Sequence, residues 1–248
     1  MSISTNGLIL KVTNNRESDR TLAILTEQGI IYAYAKAARN IKSKKFAATS
    51  PLCYSHFTLF EGKELYIVNE AECKEVFFEL RNDIEKMALA QYFCELLLYI
   101  IPENEDASDI LKLTLNSLYF LCKSEKEIDL IKSVFELKLM CLMGYMPDIV
   151  ACSECAIYEG EMFFDIIEGV LYCENCKPKN NYNLIPISNS TLSVLRHIVY
   201  SDFSKLFSFT ASKNTLSLTS DLIEKYTLNK TEHQFKTLKF YHSVRINI

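Results

Sequence analysis

At 248 residues the chain is long enough for two or three domains, and 49% hydrophobic with 23% charged residues is the make-up of an ordinary water-soluble fold. The longest apolar run, residues 96–101, is far too short for a bilayer span, so no membrane association is expected. A net charge of −4 excludes a protein coated in positive charge, although it leaves room for a local basic patch.

Residues 8–13 are apolar and β-branched and end at the turn pair Asn14 and Asn15. Residues 21–26 form a second run, and Gln28 with Gly29 turns the chain into residues 30–35. A loop follows over residues 36–45. Residues 52–60 then alternate through Tyr54, His56, Thr58 and Phe60, and Glu61, Gly62 and Lys63 lead into residues 64–68. Five short, turn-rich strands suit a small closed barrel, and the OB-fold is the expected choice. Past Leu80 the apolar period changes to between three and four. Met87, Leu89, Ala90, Phe93, Cys94, Leu96, Leu97 and Ile101 predict one helix, ended by Pro102. An acidic loop over residues 103–106 and a cap at Ser108 precede a second helix, and a third runs over residues 128–143 to a stop at Gly144. Ser188 opens a further helix through Leu192, Leu195, Ile198 and Val199, and residues 216–226 and 235–244 read as C-terminal helical segments.

Between the helices stand Cys152, Cys155, Cys173 and Cys176, two Cys-x2-Cys pairs with 17 residues between them. Such pairs can bring four thiolates around one ion, and zinc suits a tetrahedron of soft sulfur ligands. Met162, Phe163 and Phe164, then Glu168 and Gly169, then Val170, Leu171 and Tyr172 predict a hairpin joining two knuckles. Two disulfides would need an oxidising compartment, and a redox pair would leave the second Cys-x2-Cys unexplained. The first residues, Met-Ser-Ile-Ser-Thr-Asn-Gly, lack a basic and then apolar secretory stretch, so a reducing cytoplasm is expected. There the other five cysteines, Cys53, Cys73, Cys94, Cys122 and Cys141, read as small core residues. Four thiolates leave no open position for water, so the zinc site reads as structural. The expected fold class is α+β: an OB barrel over residues 1–80, a helical domain over 81–150 and 181–248, and a zinc ribbon inserted at 151–180.

Enzymatic templates are hard to find. Of the four histidines, His56, His197, His233 and His242, none sits in His-Glu-x-x-His, and there is neither a Gly-x-Ser-x-Gly elbow nor a P-loop. The stronger lead is charge distribution. Residues 1–80 hold 10 basic and 9 acidic side chains, and residues 81–150 hold 7 and 12. Within the first part, residues 36–45 carry five basic side chains, Lys36, Arg39, Lys42, Lys44 and Lys45, and no acid. A basic loop between barrel strands can lie along a phosphate backbone, with Arg16 and Arg20 extending the track. Tyr32, Tyr34, Tyr54 and Phe57 are candidates for base stacking. A solvated lysine-rich loop with no partner is the plain alternative.

Glu17, Ser18, Asp19 and Arg20 leading into a strand, then Leu25 through Gly29, then Ala-Lys-Ala-Ala-Arg-Asn-Ile-Lys-Ser at residues 35–43, resemble the RecO family of bacterial recombination mediators. The likeness continues through Tyr92 to Leu96, Phe135 to Leu139, Gly144 to Pro147 and Gly169 to Cys173, and is looser over residues 178–248. Where that family usually has Ala-Lys-Gly-Ala-Arg, Ala37 stands in place of glycine, which implies a stiffer loop. The resemblance implies a non-enzymatic role: binding single- and double-stranded DNA, annealing complementary strands and helping load recombinase onto DNA coated by single-strand-binding protein. It also implies RecR and the C-terminal tail of the single-strand-binding protein as partners, the tail held by the helical domain, where Lys132 and Lys138 are the available cations. On the residues alone, a protein–protein adaptor and a zinc-dependent enzyme with a further or open metal site stay as alternatives.

Overall fold

The computed structural model describes residues 2–15, 18–102 and 105–245. Five strands, β1 (Ser2–Asn14), β2 (Arg20–Thr26), β3 (Gly29–Ala35), β4 (Cys53–Phe60) and β5 (Tyr66–Val76), close into a barrel in the order β1-β2-β3-β5-β4. Neighbours pair antiparallel except β3 and β5, which run parallel. This is the OB-fold anticipated from the strand spacing. Its interior is filled by Ile9, Leu22, Ile24, Ala33, Phe57, Leu59 and Val68, which alternate inward along their strands. Small residues set the close approaches: a Cβ at Gly7 would stand 2.4 Å from Ile24 Cγ2, so only glycine lets β1 lie against β2 there. A short helix, α1 (Lys45–Ala48), sits between β3 and β4 at the end of the basic loop. The strand β5 is longer than its apolar core predicts. Its second half, with Glu70, Glu72 and Glu75 facing solvent, alternates too weakly to be read from sequence.

Two helices follow, α2 (Ile84–Ile100) and α3 (Ser108–Lys123), with a 3-10 turn at Phe78–Asn82 ahead of them. Asp83 caps α2 by accepting from the Lys86 amide. Ser108, expected as the cap of α3, is its first helical residue. The carboxylate of Asp106 accepts from its amide and hydroxyl instead. Of the acidic loop at 103–106, residues 103 and 104 lie outside the described residues. The chain returns as α7 (Lys236–Arg245), whose first amides, those of Lys236 and Thr237, donate to the Glu95 carboxylate on α2. Phe235 packs edge-on against Tyr92 and Tyr99. These contacts explain why one compact unit comprises Met1–Lys123 with Phe235–Ile248, a division that differs from the sequence segments.

The second unit, Ser124–Gln234, holds α4 (Ile128–Leu142), α5 (Asn189–Tyr200) and α6 (Lys213–Thr231) around a four-stranded sheet. Gly144, at φ +85, ends the α4 segment as the sequence predicted. The sheet, ordered β6-β8-β7-β9, consists of β6 (Asp148–Cys152), β7 (Met162–Asp165), β8 (Val170–Cys173) and β9 (Leu184–Ile187). The predicted hairpin is β7–β8, paired from Met162 with Cys173 to Asp165 with Val170. The flanking strands β6 and β9 are additions that the sequence did not announce. Within α4, Lys132 is buried between Glu136 and Glu224, each 2.9 Å away. Burial opposes its charge, and the two carboxylates outweigh that and hold it charged. Among the described residues no helix is long and apolar enough to cross a membrane.

Candidate metal centre and basic loop

The hairpin β7–β8 delivers Cys173 at its end, and β6 delivers Cys152 on the strand beside it. Cys155 and Cys176 follow on the two knuckle turns, so all four sulfurs lie within 4.8 Å of one another. A tetrahedron with Zn–S bonds of about 2.3 Å has S–S edges of about 3.8 Å, and Cys155 and Cys173 already stand 3.6 Å apart. The first knuckle is held by Ala156, at φ +61, whose amide bonds the Cys152 carbonyl. The amide of Cys173 donates to the sulfur of Cys152 at 3.3 Å. Burial pushes the Cys152 thiol up, but the amides of Cys155, Cys173 and Glu154 outweigh it and bring it down to about 6. The Cys176 thiol is pushed up to about 12, first by its contacts with Cys155 and Cys173. Four sulfurs so close cannot all ionise against one another without a cation, and the donor set fits a metal ion of the thiolate-seeking kind.

Residues outside the motif fix this cluster. Arg196 on α5 donates to the carbonyls of Ile149, Val150 and Tyr158, at 2.9, 2.6 and 3.2 Å, and so pins both ends of the first knuckle. Asp165, almost fully buried, accepts from the amides of Ile167 and Glu168 and from Asn181, tying the hairpin turn to the exit loop. Gly169, at φ +73, leaves room for the Tyr226 hydroxyl, 2.9 Å from where a Cβ would be. The Arg196 and Gly169–Tyr226 roles do not show in local spacing, because their partners come from distant segments.

On the barrel, residues 36–45 form a chain of tight turns rather than a floppy loop. Amides of Asn40, Ser43 and Phe46 bond the carbonyls of Ala37, Asn40 and Ser43 in succession. Lys36, Arg39, Lys42 and Lys44 are exposed along it. Arg20 and Lys45 are placed differently. The Arg20 guanidinium donates to the carbonyls of Phe46 and Thr49 and to the Thr49 hydroxyl, lying over the Phe46 ring, and Lys45 Nζ donates to the Val68 carbonyl. Both brace the loop from below. Arg16 lies outside the described residues. At the loop's start Ala37 adopts φ +52, held by the Asp19 carboxylate, which accepts from the Ala37 amide at 2.7 Å and from the Tyr34 hydroxyl. Asp19 is the residue that sequence reasoning passed over, although it lies inside the quoted Ser-Asp-Arg stretch. Of the stacking candidates, Tyr32 is exposed, Tyr34 and Tyr54 are half-buried, and Phe57 is wholly inside the barrel and unavailable. His56 is engaged through both ring nitrogens, with Asn6 Oδ1 at 2.9 Å and Ser4 Oγ at 3.0 Å. Lys138 donates to the carbonyls of Val199 and Ser201 at the end of α5, so it is spent on the fold, as Lys132 is.

An OB barrel carrying a braced basic loop, continued by helices and a four-cysteine knuckle able to hold a metal ion, defines a class of multi-part OB-fold protein. Family models described as Recombination protein O N terminal and Recombination protein O C terminal match residues 1–77 and 81–239. The chain belongs to the RecO family of DNA repair proteins. It is 35% identical over 241 residues to the DNA repair protein RecO of Acetivibrio thermocellus, covering 96% of this chain and 95% of that one. It is 33% identical over 208 residues to the protein of the same name in Alkaliphilus metalliredigens, covering 83% and 84%. For that of Clostridium novyi the figures are 31% over 198 residues, covering 78% and 75%.

Proposed function

We propose that this chain is a DNA-binding recombination mediator that anneals complementary strands and helps load recombinase onto single-stranded DNA coated by single-strand-binding protein. The observation that carries the reading is the braced loop of residues 36–45, which holds four cations outward on an OB barrel in a family of DNA repair proteins. Lys36, Arg39, Lys42 and Lys44 contact phosphate, Arg16 is assigned the same role from its place in the sequence, and Arg20 and Lys45 keep the loop in shape. Neutralising backbone charge on two strands lowers their repulsion and lets complementary bases meet. The helical segments at 81–150 and 181–248 serve the partners, RecR and the tail of the single-strand-binding protein, and the ribbon at 151–180 serves stability.

In this reading the metal is one zinc ion held by Cys152, Cys155, Cys173 and Cys176. Bound there, zinc supplies cross-linking of two knuckles and no chemistry of its own, because four thiolates saturate it. The protein is accordingly not an enzyme, and it works in the cytoplasm, where thiols stay reduced. The test is binding of a labelled single-stranded oligonucleotide across a salt series, beside an annealing assay with the complement. Changing Lys36, Lys42 and Lys44 together to alanine should weaken binding and flatten the slope of log K against log salt by up to about 2. An unchanged slope would remove the loop from the interface. No binding by the unaltered protein at low salt would leave the adaptor reading in its place.

A further inference from the structure

Two of the five cysteines outside the metal cluster meet inside the barrel. Cys53, at the start of β4, and Cys73, midway along β5, lie on adjacent antiparallel strands with their sulfurs 3.1 Å apart. Regular pairing would not bring them together: Cys53 lies opposite Val76, and Cys73 lies opposite Ser55. The register slips by one residue between Tyr54 and Ser55, and such a bulge re-aims the side chains beside it. Both thiols then turn to the same inner side, where Cys73 packs against the core cluster that contains Cys53. The two differ in access, since Cys53 is fully buried and Cys73 only half-buried.

We propose that Cys53 and Cys73 form a reversible oxidation site, closing into a disulfide across the β4–β5 seam when the protein meets a peroxide. The sulfurs need to approach by only about 1 Å to reach a bond of about 2.05 Å. Cys73, the accessible one, reacts first: its thiolate attacks one peroxide oxygen, the O–O bond breaks, and the sulfur becomes a sulfenic acid. Cys53 then gives up its proton and attacks the Cys73 sulfur, displacing hydroxide, which takes that proton to leave as water. In sum two thiols lose two electrons and two protons, and hydrogen peroxide becomes two waters. Burial pushes the Cys53 thiol up to about 12, which makes it a poor first target, and its place in the second step rests on its 3.1 Å approach to the Cys73 sulfur. The site also reaches α1, which follows the loop, because Cys53 Sγ lies 3.2 Å from Ser55 Oγ, whose hydroxyl donates to the Ala48 carbonyl.

The sequence makes the test clean. Trypsin cutting after Lys45, Lys63 and Lys74 releases Cys53 in the peptide 46–63 and Cys73 in 64–74, each with a single cysteine. The full chain is treated with hydrogen peroxide, its free thiols are alkylated, and it is digested without reduction for mass spectrometry. The expected product is the two peptides joined, lighter by two hydrogen atoms than their sum and released by dithiothreitol. Cys73→Ser and Cys53→Ser should each abolish it. Recovery of Cys73 as sulfinic acid with Cys53 still alkylated, or of both as separate alkylated peptides after exhaustive peroxide, would overturn the proposal. This readout does not depend on DNA binding and stands or falls apart from the mediator reading.

Discussion

Ala37 occupies the left-handed region at φ +52, a conformation that costs a residue with a side chain about 1–2 kcal/mol. What keeps it there is Asp19, which accepts from the Ala37 amide and the Tyr34 hydroxyl. Replacing Ala37 with glycine relieves the steric cost and adds freedom to the unfolded chain, so Ala37→Gly should stabilise the barrel by up to about 1 kcal/mol, read as a shifted urea midpoint at unchanged slope. Asp19 also makes the loop sensitive to acid. The Tyr34 hydroxyl, and after it the Ala37 amide, hold its carboxyl below the usual range. A depressed carboxyl contributes fully above its unfolded value of about 4, and the contribution is lost as pH falls through the lower folded value. The amide resonance of Ala37 should therefore titrate below the ordinary aspartate range, and Asp19→Asn should abolish that titration and weaken DNA binding severalfold. A titration that survives in Asp19→Asn would mean another group moves the loop. Ala37 was already singled out in the sequence as the position for which the family resemblance implies a stiffer loop. The holding bonds were out of reach, because their acceptor lies 18 residues upstream.

At the scale of elements, the four-cysteine centre was the most legible part of the chain, since its ligands come in two local Cys-x2-Cys pairs. The strands that complete its sheet were not, because β6 and β9 are only five and four residues long and gain their identity by pairing. The helix α6 was legible over residues 216–226 but not at its ends. Its buried Thr219 and Thr231 break the apolar period, yet each hydroxyl donates to the carbonyl four residues back and so enters the core satisfied. Element identity thus depends on the four-cysteine cluster at one end and on local hydroxyl bonding at the other. Removing one thiolate should separate these: Cys173→Ser should lose bound metal and the cooperative melting of the β6–β9 sheet, because metal binding and folding are coupled in such sites. Metal analysis together with circular dichroism during chelation checks this. A metal-free Cys173→Ser protein with unaltered melting would remove the structural role of the centre.

Across the whole molecule, charge is unevenly shared. The unit of Met1–Lys123 with Phe235–Ile248 carries 17 basic against 16 acidic side chains, and that of Ser124–Gln234 carries 10 against 15. A net charge of −4 gives DNA no long-range attraction, so the proposed binding has to come from local contacts within a Debye length of about 8–10 Å. That sets a bound on how steeply salt can act. Four outward cations, Lys36, Arg39, Lys42 and Lys44, each neutralising one phosphate, give a slope near 2.8 for single strands, at about 0.7 per contact. A fourfold rise in salt should then weaken single-strand binding about 50-fold. Duplex DNA, at about 0.9 per contact, should respond more steeply through the same four residues. A measured slope well above this bound would require cations elsewhere on the chain. Lys132 and Lys138 are poor candidates for that surplus, being held by Glu136 and Glu224 and by the end of α5. The search would turn first to Arg16, named with the loop in the proposed track, and then to Lys225 on α6 and Lys239 on α7, both exposed, and substitution there would lower the slope where the loop substitutions leave a remainder.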